Sequence, residues 1–164
     1  MSTNEDTFSF PFLSNLIHNR FAGTHARTHQ RTAPMKEIAL CLDDDPLSLR
    51  LVEHLLKKRY HVISCASVDS AIRAVKQHRC GLFLCDYHLG DDITGAQAWD
   101  SLSSDYGFSP AHRVLITSYP SAAIEEESRE VGFDRVFAKP LRREFQQYCM
   151  NLFMPAARRP IAAV

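Results

Sequence analysis

The sequence predicts an α/β protein, a doubly wound parallel sheet of five strands with helices on both faces. Three observations predict it. Five short apolar runs fall between residues 38 and 138 without polar–apolar alternation, as strands buried on both faces require. Each run is followed by a segment with apolar residues at helical spacing. Strand and helix signals alternate throughout, the pattern of parallel strands joined by right-handed crossovers.

The first run, Ile38–Leu42, ends in acids, and the helix after it carries Leu47, Leu49, Leu51, Val52, Leu55 and Leu56. Pro46 suits its first turn, where the missing N–H costs nothing. His61–Cys65 reads as the second strand, and Ser67 as the N-cap of a helix carrying Ala71, Ile72 and Val75. Gly81–Cys85 is the third strand. A polar loop with Gly90 and Gly95 leads from it to a helix over about residues 96–103. Arg113–Ile116 and Ser121–Val131 give the fourth strand and helix. Asp134–Ala138 and Arg142–Phe153 give the fifth pair.

Length and composition set the frame. A chain of 164 residues fits one domain with one buried core. With 23% charged and 45% apolar residues it has the mix of a globular protein. Nineteen basic residues balance nineteen acidic ones, so no overall field draws it to nucleic acid or an anionic membrane. No apolar stretch approaches the roughly 18 residues of a membrane span, and the N-terminus does not resemble a secretion signal. The expected location is cytoplasmic. Cys41, Cys65, Cys80, Cys85 and Cys149 form no C-x-x-C pair; the expectation is buried reduced thiols, with a redox switch as the alternative.

Residues 1–34 read as a flexible extension with a possible short helix over Leu13–Phe21. Its His18, His25 and His29 fit a solvated tail better than a metal tract, since no second cluster supports them. The domain is expected over residues 35–154, with a short tail over 155–164.

In a doubly wound sheet, functional groups collect at the carboxyl ends of the strands. Strand one ends in Asp43-Asp44-Asp45, strand three in Asp86, strand four in Thr117-Ser118 and strand five in Lys139-Pro140. Any one of these is unremarkable alone, because an Asp after a strand commonly caps a helix or fills a turn. Together they place carboxylates, a hydroxyl and an ammonium on one rim. Clustered carboxylates need a cation, and Mg²⁺ takes one or two of them with waters and phosphate oxygens. An ionised carboxylate is also a nucleophile toward phosphorus and needs no general base. Lys139 and Mg²⁺ would supply positive charge to the phosphoryl oxygens, and Thr117 a hydrogen bond.

These residues resemble the receiver domain of response regulators in two-component signalling, over about residues 36–153. Cys41–Arg50 is similar to that family's first strand and acidic loop, Leu84–Gly90 to its phosphoacceptor segment, Leu115–Ser118 to its switch-hydroxyl segment and Phe137–Pro140 to its Lys-Pro element. The resemblance implies a flavodoxin-like strand order 2-1-3-4-5 and Asp86 as phosphoacceptor. It implies Mg²⁺ at Asp86, Asp44, Asp43 (through water) and the His88 backbone carbonyl, with Asp45 as a third acid. It also implies Thr117 and Lys139 as partners of the phosphoryl group, and a Lys-Pro peptide that is often cis. Two positions depart from the family pattern. Val136 stands where an aromatic switch residue is usual, with Phe137 expected on the opposite face. Leu89-Gly90-Asp91-Asp92 replaces a Met-Pro pair, a variant resembling receivers associated with hybrid sensor kinases.

After Lys139 only 25 residues remain, too few for a DNA-binding or catalytic output domain. The implied partners are a sensor histidine kinase or histidine phosphotransfer protein and a downstream protein target. No direct DNA binding and no membrane are expected, and the protein is expected to be a monomer or weak dimer. It is not expected to be an enzyme beyond assisting its own phosphorylation and dephosphorylation. Glu125, Glu126 and Glu127 read as a solvated helix face, or else a contact face. The alternative function is a receiver-fold interaction module working without phosphorylation, motivated by Val136. An Asp-nucleophile phosphatase is the third reading, against which its Asp-x-Asp-x-Thr signature is missing after Asp86.

Overall fold

A computed structural model of the chain describes residues 36–90 and 92–154. The extension expected over residues 1–34, Asp91 and the tail over 155–164 lie outside the described residues. The strands of the main sheet are β1 (Glu37–Leu42), β2 (Tyr60–Cys65), β3 (Leu82–Asp86), β6 (His112–Thr117) and β7 (Arg135–Ala138). They are all parallel, in the order β2-β1-β3-β6-β7, as the sequence predicts. The helices are α1 (Pro46–Leu56), α2 (Val68–Gln77), α3 (Gly95–Tyr106), α4 (Ala122–Glu130) and α5 (Arg143–Asn151). Among the described residues no helix is long and apolar enough to cross a membrane.

Successive strand residues point to opposite faces of the sheet and build two cores. Leu40, Leu42, Phe83, Cys85 and Leu115 face α2, α3 and α4, which contribute Ala71, Ala74, Trp99, Leu102 and Ile124. Ala39, Cys41, Leu82, Leu84, Val114, Ile116 and Phe137 face α1 and α5, which contribute Leu49, Val52, Leu56, Phe145 and Cys149. Val136 packs toward the first core and Phe137 into the second, where its ring meets Phe145 and Tyr148. The expected opposition of these two side chains therefore holds.

The helix starts follow local chemistry. Asp45, read as a third acid of the site, caps α1 by accepting from the backbone N–H groups of Leu47 and Ser48. Its carboxyl is held low by the Ser48 hydroxyl and these two amides. Ser67 forms a capping box with Ser70, and Thr94 another with Gln97. Such a cap stabilises a helix by about 1 kcal/mol. The helix expected from residue 96 begins at Gly95 and runs on to Tyr106, where Gly107 closes it at φ 63°. The expected polar loop contains a two-residue antiparallel ladder, β4 (His88–Leu89) against β5 (Ile93–Thr94).

The amino end of the sheet is closed by aromatic packing. Phe153, just beyond α5, lies edge-on to Tyr60 and His112, with ring centroids 6.2 and 5.2 Å away. It lies against Gly81, where an added Cβ would come within 2.9 Å of its ring. Arg59 donates to the Phe153 carbonyl at 2.8 Å, and the Tyr60 hydroxyl to the Cys149 carbonyl at 2.5 Å.

Candidate functional site

The carboxyl end of the sheet gathers four buried or half-buried polar side chains. Asp86 closes β3, whose five residues are all buried, and is itself only 5% exposed. Asp43 follows β1 and is 2% exposed, held where its backbone N–H donates to the Cys65 carbonyl of β2. Thr117 closes β6 and is fully buried. Lys139 follows β7, its backbone N–H donating to the Thr117 carbonyl at 2.7 Å, and the Lys139–Pro140 peptide is cis.

Lys139 bridges the two carboxylates. Its Nζ lies 2.8 Å from Asp43 Oδ2 and 2.6 Å from Asp86 Oδ1. Asp43 Oδ1 also accepts from the Asp45 backbone N–H, and Asp86 Oδ2 from that of His88, at 2.9 and 2.8 Å. Burial pushes the Asp86 carboxyl above its ordinary value, assisted by the charge of Asp43 and opposed by Lys139. Burial works to lower the Lys139 ammonium. Its hydrogen bonds to the two carboxylates, with their charges, outweigh that and hold it above its ordinary value. Charged hydrogen bonds of this kind are stronger than neutral ones, and here they tie the ends of three strands together.

The remaining predicted residues are placed less centrally. Asp44 is exposed beside Gly90, whose added Cβ would sit 3.5 Å from Asp44 Oδ2. It lines a groove of about 330 Å³ with Ala66, Ser67, Asp69 and Leu89. The Thr117 hydroxyl oxygen accepts from the Tyr119 backbone N–H at 3.1 Å. The His88 side chain is exposed, edge-on to Tyr87 and Tyr119. The five cysteines are all buried and free. Burial pushes the Cys80 thiol up to about 11 and Cys149 up to about 12, and raises the other three as well. Thiolate chemistry is suppressed at such sites.

Two neighbours of the site were not foreseen. Gly95 passes so close to the Asp86 carbonyl that an added Cβ would collide with that oxygen and crowd Leu115 and Cys85. Tyr87 donates its hydroxyl to Glu127 Oε2 on α4 at 2.7 Å. Glu127 is half-buried, whereas Glu125 and Glu126 are exposed, so the solvated-face expectation holds for two of the three. Neither neighbour has a signal in the sequence, since each depends on what a crossover brings alongside.

A strand-end pair of carboxylates sharing one lysine, over a parallel sheet, defines a class, and the chain belongs to the family of response regulator receiver domains. The model of that domain matches residues 39–147. No curated protein matches the chain. Among solved structures, chemotaxis protein CheY4 of Vibrio cholerae superposes with a TM-score of 0.64 at 19% identity, covering 71% of this chain and 98% of that one. A CheY-like receiver domain protein of Methanospirillum hungatei gives 0.61 at 21% identity, over 71% and 93%. The receiver domain of sensor histidine kinase PA1611 of Pseudomonas aeruginosa gives 0.60 at 20%, over 71% and 96%; that structure carries a magnesium ion coordinated in its active-site cleft. These likenesses bear on the fold alone.

Proposed function

We propose that the protein accepts a phosphoryl group on Asp86 from a phosphohistidine of a sensor kinase or histidine phosphotransfer protein, and signals by contact with another protein. The observation that carries this reading is the pair of buried carboxylates, Asp43 and Asp86, served by the single ammonium of Lys139. Such an arrangement is short of one positive charge, and exposed Asp44 beside it adds a further negative one.

That deficit fits a divalent cation. Among the described residues no group of three or more His, Cys, Asp and Glu side chains forms a metal cage. Mg²⁺ needs none, because it keeps several waters and takes one or two carboxylates. Asp44 and Asp86, the His88 carbonyl, and Asp43 through water would hold it. When bound, the ion supplies positive charge to the oxygens of the transferring phosphoryl group.

The residues of the chain do the rest. An oxygen of ionised Asp86 attacks phosphorus, forming the P–O bond of an acyl phosphate. The P–N bond to the donor imidazole breaks, its electron pair going to the ring nitrogen. Lys139 moves from a carboxylate contact to the phosphoryl oxygens, keeping an opposite charge throughout, and the Thr117 hydroxyl donates to another of them. The second reading, an interaction module that works without phosphorylation, is favoured by Val136, which gives β7 no aromatic at the position beside α4.

Incubation with acetyl phosphate and Mg²⁺ should add the mass of one phosphoryl group to the intact protein. Asp86→Asn should abolish that gain, and labelling that persists would overturn the assignment. Wild type that never labels, with acetyl phosphate or a kinase, would favour the interaction module. Asp44→Ala should weaken Mg²⁺ binding by at least tenfold in a titration, and unchanged affinity would remove Asp44 as a ligand.

A further inference from the structure

We propose that the Tyr87–Glu127 hydrogen bond is a latch between the acceptor segment and α4, closed in the unphosphorylated protein and opened by phosphorylation of Asp86. The inference rests on Asp86 being the phosphoacceptor. Tyr87 is the residue that follows Asp86, and its backbone is fixed on both sides. Its N–H donates to the Ile116 carbonyl of β6 at 2.7 Å, and its carbonyl accepts from the Gly95 N–H at 2.8 Å. The ring then reaches across the rim to α4, where the hydroxyl donates to Glu127 Oε2 at 2.7 Å. The contact is partly buried and joins residues forty positions apart.

The rest of α4 is held differently. Trp99 of α3 donates its indole N–H to the Val131 carbonyl at the helix C-terminus, at 2.9 Å. Ile124 and Ser128 face the core, with the Ser128 hydroxyl satisfied inside the helix by the Ile124 carbonyl. From β7 the helix meets Val136, an aliphatic side chain without a donor, lining a groove of about 310 Å³ with Glu125, Ser128 and Arg129. Among the described residues, Tyr87–Glu127 is thus the side-chain hydrogen bond tying α4 to the segment that carries Asp86.

Phosphorylation acts on this contact in two ways. Asp86 Oδ2 accepts from the His88 N–H, so converting the carboxylate to an acyl phosphate changes the anchor on the far side of Tyr87. Against the same lysine and cation, the phosphoryl group also adds about one negative charge next to Tyr87, disfavouring a conformation that holds the Glu127 carboxylate against that residue. Because the charge distinguishes the two states of the latch, it shifts their populations. The coupling is reciprocal, so a protein whose latch cannot close should accept phosphate more readily.

Hydrogen exchange of the α4 amides, read on samples whose phosphorylation is measured by intact mass, tests the proposal. In unphosphorylated wild type α4 should be protected, and acetyl phosphate with Mg²⁺ should raise its exchange about tenfold, the effect of losing one such hydrogen bond. Tyr87→Phe keeps the ring and removes the donor. Its α4 should exchange about tenfold faster before phosphorylation, change little afterwards, and reach a higher labelled fraction. Glu127→Gln keeps an acceptor without the charge, so its α4 should stay protected when the protein is labelled. β1 amides serve as the control for folding; if Tyr87→Phe loosens them too, Glu127→Gln alone decides. Labelled wild type with unchanged α4 exchange, or Tyr87→Phe with wild-type α4 behaviour, overturns the latch. Wild type that gains no phosphoryl group overturns the phosphoacceptor reading instead, and the trigger with it.

Discussion

At the carboxyl end of the sheet, Asp43, Asp86 and Thr117 are buried polar groups, and two of them depend on one lysine. At the amino end, Phe153, Tyr60 and His112 close the same sheet with rings, and the buried Tyr60 hydroxyl has its own carbonyl partner. One end is under-neutralised, while the other is apolar packing with its tyrosine hydroxyl paired. Desolvated like charges cost folding free energy, whereas packed rings with paired hydroxyls add to it. The difference is what the proposed function asks for, with binding at the first end and stability at the second.

Substitutions at the two ends should therefore separate chemistry from stability. The largest effect is expected from Asp86→Asn, with complete loss of the phosphoryl mass gain. Its urea midpoint should stay level or rise, because Asp43 then has Lys139 to itself; a drop comparable to a core substitution would mean that the rim is a stabilising network after all. Phe153→Ala should do the reverse, costing about 2 kcal/mol for a half-buried ring while the folded protein still labels fully. Lost labelling with unchanged stability would break the contrast.

A smaller effect separates the ends by pH. Lys139 is held above its ordinary 10.5 in the folded protein. Its contribution is thus fully present below that value and is lost as pH rises through the folded pKa. The buried thiols and Tyr60, also raised, lose stability over the same alkaline range. The alkaline fall in urea midpoint should be shallower in Lys139→Met than in wild type, and the difference between the two curves isolates the rim. Identical curves would show that the lysine contributes nothing to folding.

The sheet was legible in the sequence because its strands are buried on both faces and its helices are not, which leaves two distinct periods to read. Asp43, Asp86, Thr117 and Lys139 were legible because strand ends and loops are adjacent in sequence and carry chemical side chains. Asp45 shows the limit of that logic: three consecutive acids look alike in a string, and only backbone geometry makes one of them a helix cap. Boundaries moved by a residue or so wherever a strand continued into polar residues, as at Tyr60 and His112. The β4–β5 ladder was missed because two residues carry no period. Tyr87–Glu127 and Gly95 were out of reach for another reason, since pairings between separate crossovers leave no local pattern.

The close approach at Gly95 bears on where movement can occur. With α3 abutting the Asp86 carbonyl and Gly95 donating to Tyr87, the end of β3 and the start of α3 are packed without a gap. A displacement at Asp86 finds no slack on that side. Across the rim the 118–121 loop is exposed and leads into α4. If Asp86 accepts phosphate as proposed, the missing methyl at residue 95 makes it a fulcrum, and α4 the arm that swings.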